Sequence, residues 1–289
     1  MLSKVIIFQE NVMDPSQIMI EADELKNIIH QSGLRIYDAT IMFPIGLSPE
    51  EAAKMPTGYE QYQAGHIPGS AFLDHEKFTD SQSRYDLMLA ADHVLEAAIG
   101  ELGIGNSNQV IVYSSSGILA TSTRAWWVLA YAGVDNVRIL NGGLPAWKAA
   151  GGEIETEENS YPPAAFKASF RQGMFASIEE VQTAIQDPSV HVENALPQDL
   201  HDPEHIPNSV CVPLTLLTAN WITISPVDKL RQKLPDRPKS ERIITYCGGG
   251  IAATVNAVAY MMLGYQNVAV YDGSLYEWKG EGLHLESKS

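Results

Sequence analysis

Short apolar runs alternate with amphipathic stretches along this chain, and the whole cycle is written twice. Residues 21–29 resemble residues 177–185, and the second copy opens with Ser177 and Glu180 at capping-box spacing, which predicts the start of a helix. A short strand is expected after each, at 34–39 and 190–195. A shared turn follows: His66-Ile67-Pro68-Gly69-Ser70 matches His205-Ile206-Pro207-Asn208-Ser209. Gly or Asn after Pro suits the positive φ of a type II turn. The apolar runs 110–113 and 243–246 read as buried parallel strands. Both stop at small residues and then enter apolar helices, 118–131 and 251–263, which end near Gly133 and Gly264. Short strands at 137–140 and 268–271 precede the closing motifs Gly142-Gly143-Leu144-Pro145-Ala146-Trp147 and Gly273-Ser274-Leu275-Tyr276-Glu277-Trp278.

Strand and helix alternate in each half, so each half is expected to be an α/β domain, a mainly parallel sheet with helices on both faces. The expected division is 1–150 for the first domain, 151–175 for a Gly- and Pro-bearing linker, and 176–289 for the second domain. The first copy is longer, with its extra residues at 41–65 and 74–91. Loops of that length in a compact domain either serve a site, here one on the other copy, or fill space.

Composition narrows the function. The 289 residues fit two domains of ordinary size, and a 45% hydrophobic content lets each bury a core. No run approaches the roughly 20 apolar residues that span a bilayer. The first ten residues lack the pattern of a secretory signal or a transit peptide, so a cytoplasmic location is expected. A net charge of −16 argues against nucleic acid or an anionic membrane as partner. It also means that an anionic substrate is repelled by the protein as a whole and must be attracted locally. Only two cysteines occur, Cys211 and Cys247, which is neither a disulfide framework nor a zinc cluster and fits a reducing compartment.

Cys247 is the candidate nucleophile. It stands at the carboxyl end of a predicted parallel strand, where open sheets place their chemistry. Gly248, Gly249 and Gly250 follow, letting successive amides curl into an anion nest at the start of a helix. A cysteine so placed favours its reactive thiolate form. On the loop alone, a plain strand-to-helix connection around a small buried cysteine remains the competing reading. Cys211, in Val210-Cys211-Val212-Pro213, reads as a small hydrophobe in a buried strand, with a resolving thiol as the alternative.

The stretch from Ala64-Gly65-His66 to Ala71-Phe72, the motif Asn141-Gly142-Gly143-Leu144-Pro145-Ala146-Trp147, and the Tyr246-Cys247 loop together resemble two-domain rhodaneses, the thiosulfate and 3-mercaptopyruvate sulfurtransferases. The resemblance runs from about residue 21 to 278. It implies an inactive first copy, with Ser114 where the second copy has Cys247, and a catalytic second copy. It also implies a two-step reaction: Cys247 takes sulfur from a small donor as a persulfide and passes it to a thiol or cyanide. The loop amides of Gly248, Gly249, Gly250, Ile251 and Ala252 would stabilise the sulfur. No metal or organic cofactor is implied.

Two departures from the family pattern bear on substrate. Thiosulfate-preferring members carry basic residues after the cysteine, and mercaptopyruvate-preferring members carry Gly then Ser or Thr; this chain has Gly248 and Gly249. The loop is nearer the second type but lacks its hydroxyl, so 3-mercaptopyruvate is the expected donor and poor activity on thiosulfate is expected. The family's donor-binding arginine is also missing, with Asn194-Ala195-Leu196 in its place and no Lys or Arg between Gln172 and Asp228. A clamp from the first copy, Arg84 or Arg124, is the expected substitute, the alternative being a donor that is not a conventional small anion. His66 matches a histidine linked to proton transfer in mercaptopyruvate-type members; the competing reading is that it only fixes its turn, as His205 does. A phosphatase is disfavoured because Ala253 stands where the phosphate-binding arginine would be. A persulfide carrier or binding module without turnover is the alternative to an enzyme.

Overall fold

Ten of the short apolar runs pair into two five-stranded sheets of identical strand order, as seen in a computed structural model that describes residues 14–44 and 48–288. The first sheet contains β1 (Met19–Ile20), β2 (Leu34–Asp38), β3 (Ala71–Phe72), β4 (Gln109–Tyr113) and β5 (Val137–Leu140), in the order β1-β5-β4-β2-β3. The second contains β6 (Phe175–Ala176), β7 (Val190–Asn194), β8 (Val210–Cys211), β11 (Arg242–Tyr246) and β12 (Val268–Tyr271), in the order β6-β12-β11-β7-β8. A two-stranded antiparallel hairpin, β9 (Thr218–Ala219) with β10 (Thr223–Ile224), stands apart. All pairings within both large sheets are parallel. The register repeats too: Asp38 lies opposite Tyr113 as Asn194 lies opposite Tyr246.

The middle strands, β4 and β11, each feed an apolar helix, Leu119–Tyr131 and Ala253–Met262. Every residue of the first of these helices is buried. Its two indole N–H groups donate to the Val137 and Met174 carbonyls, so burial leaves neither unpaired. The two helices pack on each other, and one apolar cluster runs through both copies from Trp126 to Val258.

Several local expectations hold for stated reasons. The repeated turn places Gly69 and Asn208 at φ values of 75° and 59°, and the helix ends use Gly133 at 93° and Gly264 at 83°. The Ser177 hydroxyl caps its helix by accepting from the Glu180 amide, but the reciprocal half of the box is absent. The Glu180 carboxylate instead takes two hydrogen bonds from the Arg242 guanidinium, a stronger charge-assisted pairing. The helix after β11 begins at Ala253, not at 251, because the Thr254 and Val255 amides close three-residue turns onto the Ile251 and Ala252 carbonyls before the α-helical pattern sets in.

The chain between the sheets lies along the first one. Tyr161 donates to the Gly69 carbonyl and stacks edge-on against Tyr37, and the amides of Ala164, Ser169 and Arg171 bond to first-copy carbonyls. No helix among the described residues is long and apolar enough to cross a membrane, and no cluster of three metal-ligating side chains occurs among them.

Candidate active site

β11 is the central strand of its sheet and delivers Cys247 at its carboxyl end. Cys247 is 2% exposed, while Gly248, Gly249 and Ala252 are half-buried and form the outer face of the loop. The loop is held from below by the start of the Ser274–Gly280 helix. The Ser274 hydroxyl accepts from the Cys247 and Gly250 amides, both at 3.1 Å, and donates to the Tyr271 carbonyl. The Leu275 and Tyr276 amides bond the carbonyls of Cys247 and Gly248. Ser274 itself sits at a φ of 49°, an uncommon backbone state for a residue with a side chain.

These bonds divide the loop amides. Gly250 is engaged by Ser274 and is not available to a bound sulfur. Among the described residues, the amides of Gly248, Gly249, Ile251 and Ala252 have no protein acceptor. Gly250 is glycine of necessity: a Cβ there would stand 2.4 Å from the Asp272 carbonyl oxygen. Gly248 and Gly249 face the ring of Tyr276, which lies where their side chains would begin.

The first copy has the same frame, filled in. Ser114 follows β4, but its hydroxyl bonds to Ser116 at 2.8 Å and contacts the Thr40 hydroxyl at 3.3 Å. The Ser115 amide and hydroxyl are taken by Thr40 and by the buried carboxyl of Asp38. Burial raises the pKa of that carboxyl above the usual carboxylate range. The β9–β10 hairpin of the second copy then lies on this loop, with the Trp221 carbonyl accepting from the Leu119 amide and Ile222 packed near Gly117.

The covering is reciprocal. The first copy's 74–91 segment reaches the second copy, where the Leu89 amide bonds the Asp272 carboxylate and Tyr85 packs on Gly280. Asp272 follows β12 beside the Cys247 loop and pairs with Arg124, whose other terminal nitrogen donates to the Leu87 carbonyl. The insertion thus frames the second copy's Cys247 loop, whereas residues around Gly58 and Tyr59 pack on Thr40 and Phe72 of their own domain.

The two expected clamp residues are placed differently from the sequence-based expectation, and His66 takes the turn role, one of its two readings. Arg84 is bound to Glu281 and stacked on Tyr85 at the exposed end of the Ser274–Gly280 helix, so it is not a free cation over the loop. Arg124 is buried and spent on Asp272 and Leu87. His66 is fully buried; its ring nitrogens face the Tyr62 and Glu157 carbonyls and it stacks on Tyr62 at 3.9 Å. All its partners lie in the first copy and the connecting chain, so it serves its own turn. His205 repeats this, stacked on His201 at 4.2 Å.

Cys211 lies on the edge strand β8 and is only half-buried, with its thiol directed at the Leu196 carbonyl. Burial pushes that thiol up to about 11. β8 is separated from β11 by β7, so Cys211 is two strand spacings, about 10 Å, from the Cys247 end of the sheet. A Cys211–Cys247 disulfide is beyond reach without backbone movement. Ser274 and Asp272 went unrecognised in the sequence as site residues. The signal for Ser274 lay in the closing motif itself and for Asp272 just before it, after β12, the neighbour of the strand that carries Cys247.

Comparison with known proteins agrees with this geometry. A model of the rhodanese-like domain matches residues 21–150 and again 177–281. The chain is 30% identical over 272 residues to the 3-mercaptopyruvate sulfurtransferase of Escherichia coli, covering 90% of this chain and 94% of that protein. It is 31% identical over 261 residues to the thiosulfate sulfurtransferase of Rattus norvegicus, covering 85% of this chain and 84% of the relative. The crystal structure of the Escherichia coli 3-mercaptopyruvate sulfotransferase SseA superposes with a TM-score of 0.79 at 30% identity, covering 89% of this chain and 98% of SseA. With two matched copies, two sheets of one strand order and a cysteine loop in the second copy alone, this chain belongs to the rhodanese family.

Proposed function

We propose that this sulfurtransferase of the thiosulfate/3-mercaptopyruvate type works through a Cys247 persulfide, with 3-mercaptopyruvate favoured over thiosulfate as donor. The observation that carries the proposal is the set of four loop amides, of Gly248, Gly249, Ile251 and Ala252, without protein acceptors around the one cysteine at a central strand end. Inward amide dipoles stabilise a sulfur anion before and after transfer. The Cys247 thiolate attacks the donor sulfur. With 3-mercaptopyruvate the C–S bond breaks and its electron pair forms the enolate of pyruvate, which takes the thiol proton. With thiosulfate the S–S bond breaks and the pair leaves on sulfite. A thiol or cyanide then attacks the outer sulfur, and Cys247 regains its pair as thiolate.

The donor preference rests on charge. Thiosulfate is a compact dianion approaching a protein of net charge −16, and the loop carries no cation. Arg84 and Arg124 are both ion-paired. The expected kcat/KM with thiosulfate and cyanide is therefore well below that with 3-mercaptopyruvate and a thiol; a higher value for thiosulfate would contradict this preference. Intact mass spectrometry tests the nucleophile. One added sulfur atom on the wild-type chain after exposure to 3-mercaptopyruvate, and none on Cys247→Ser, is expected; sulfur retained by Cys247→Ser would remove Cys247 from the role. Multiple turnovers with a thiol acceptor distinguish an enzyme from a carrier that loads once.

A further inference from the structure

Tyr276 is 58% exposed, the most exposed of the large hydrophobic side chains among the described residues, and it does not sit on an idle surface. Its amide bonds the Gly248 carbonyl at 2.9 Å, which fixes its backbone beside the Cys247 loop. Its ring lies over the two glycines. A Cβ at Gly249 would stand 2.9 Å from the ring's Cδ2 and 3.0 Å from Cε2, and one at Gly248 would stand 3.4 Å from the phenolic oxygen and from Cζ. A side chain at 249 and the ring of Tyr276 therefore compete for one space, and a side chain at 248 would start in contact with the phenol. Here the ring has that space, and the loop has given up both side chains.

That exchange changes the chemistry of the entrance. The loop offers neither a cation nor a hydroxyl at 248 and 249, and the neighbouring arginines are committed to Asp272 and Glu281. What stands over the half-buried outer face of the loop is an aromatic surface with one phenol. We infer that Tyr276 is the specificity-determining side chain of the Cys247 site, replacing the side chains missing at Gly248 and Gly249 and selecting sulfur donors with a flat, weakly charged face over compact anions. This inference rests on the sulfurtransferase reading and names the feature that sets its substrate class.

Two donors that leave the same persulfide test it: thiosulfate, a dianion without a flat face, and benzenethiosulfonate, a monoanion with one, each with cyanide as acceptor. The readout is the ratio of kcat/KM for the aryl donor to that for thiosulfate. Tyr276→Ala is expected to lower this ratio about two- to tenfold, the range of one aromatic contact, and Tyr276→Phe to keep it. Gly249→Ser tests the shared space: it is expected to slow persulfide formation, and to do so less in a Tyr276→Ala background, where the ring no longer stands in the way. A ratio indifferent to residue 276, or a Gly249→Ser effect equal in both backgrounds, overturns the inference while leaving the sulfurtransferase reading intact. A wild-type protein that takes sulfur from 3-mercaptopyruvate but from neither test donor overturns the inference alone, and one that takes sulfur from none of the three overturns both.

Discussion

Single residues in the two copies answer the same structural demand with different chemistry. Tyr62 and His201 each precede the turn histidine by four positions and each stack on it. Tyr62 completes its bonding by donating to the Ser70 carbonyl, whereas the His201 Nε2 atom is buried with no partner. Burial, with His205 adding a smaller push in the same direction, lowers His201 from the usual 6.5 to about 4. The folded protein therefore holds this ring neutral at pH 5 while the unfolded chain protonates it. The unfolded state binds more protons between about pH 6.5 and 4, so stability is complete above that window and is lost as pH falls through it. The midpoint of urea unfolding is expected to drop over this range. His201→Tyr, which supplies the first copy's residue, should flatten the drop in part, since His75 is also lowered to about 4 by burial. An unchanged pH dependence in His201→Tyr would show that the shift at this ring does not reach global stability.

At the scale of elements, the Cys247 loop is held by the helix that starts at Ser274. One hydroxyl accepts from two loop amides. Ser274→Ala leaves both amides buried without that acceptor, a cost of about 1–3 kcal/mol, concentrated in the loop proposed to hold a persulfide. Slower persulfide formation together with a lower thermal midpoint is expected; loss of stability with full sulfur transfer would mean that the loop keeps its shape without this bond. The same elements show what local chemistry can disclose in advance. The turns at Gly69 and Asn208, the parallel sheets implied by alternation and the placement of Cys247 were readable because each depends on a few consecutive residues. Ser274 was not readable, because its partners at 247 and 250 come from another strand end. Nor was the engagement of Arg84 and Arg124, since their carboxylate partners, Glu281 and Asp272, lie in the other half of the chain. The half-formed capping box at Ser177 failed for the same reason: Arg242, distant in sequence, outbid the local bond for Glu180.

At the scale of the whole molecule, duplication has become mutual cover. The second copy's hairpin lies on the Ser114 loop, and the first copy's 74–91 segment frames the Cys247 loop, so neither copy is complete alone. Among the contacts that cross between the copies are the Thr123 and Thr254 hydroxyls at 2.7 Å, the Leu89 amide on Asp272, and the buried Arg124–Asp272 pair. The apolar cluster runs through both copies without a break. Unfolding should accordingly be one cooperative transition, reported alike by Trp126 and Trp127 in the first copy and by Trp278 in the second. Arg124→Met strands the Asp272 carboxylate in a buried setting and is expected to cost about 3–5 kcal/mol. Adding Asp272→Asn removes the stranded charge yet keeps an acceptor for the Leu89 amide, so the double variant should recover part of the loss. The two tryptophan regions should shift together in both variants. A second-copy transition that separates from the first when Arg124 is replaced would mean that this pair, and not the continuous core, holds the two copies in one folding unit.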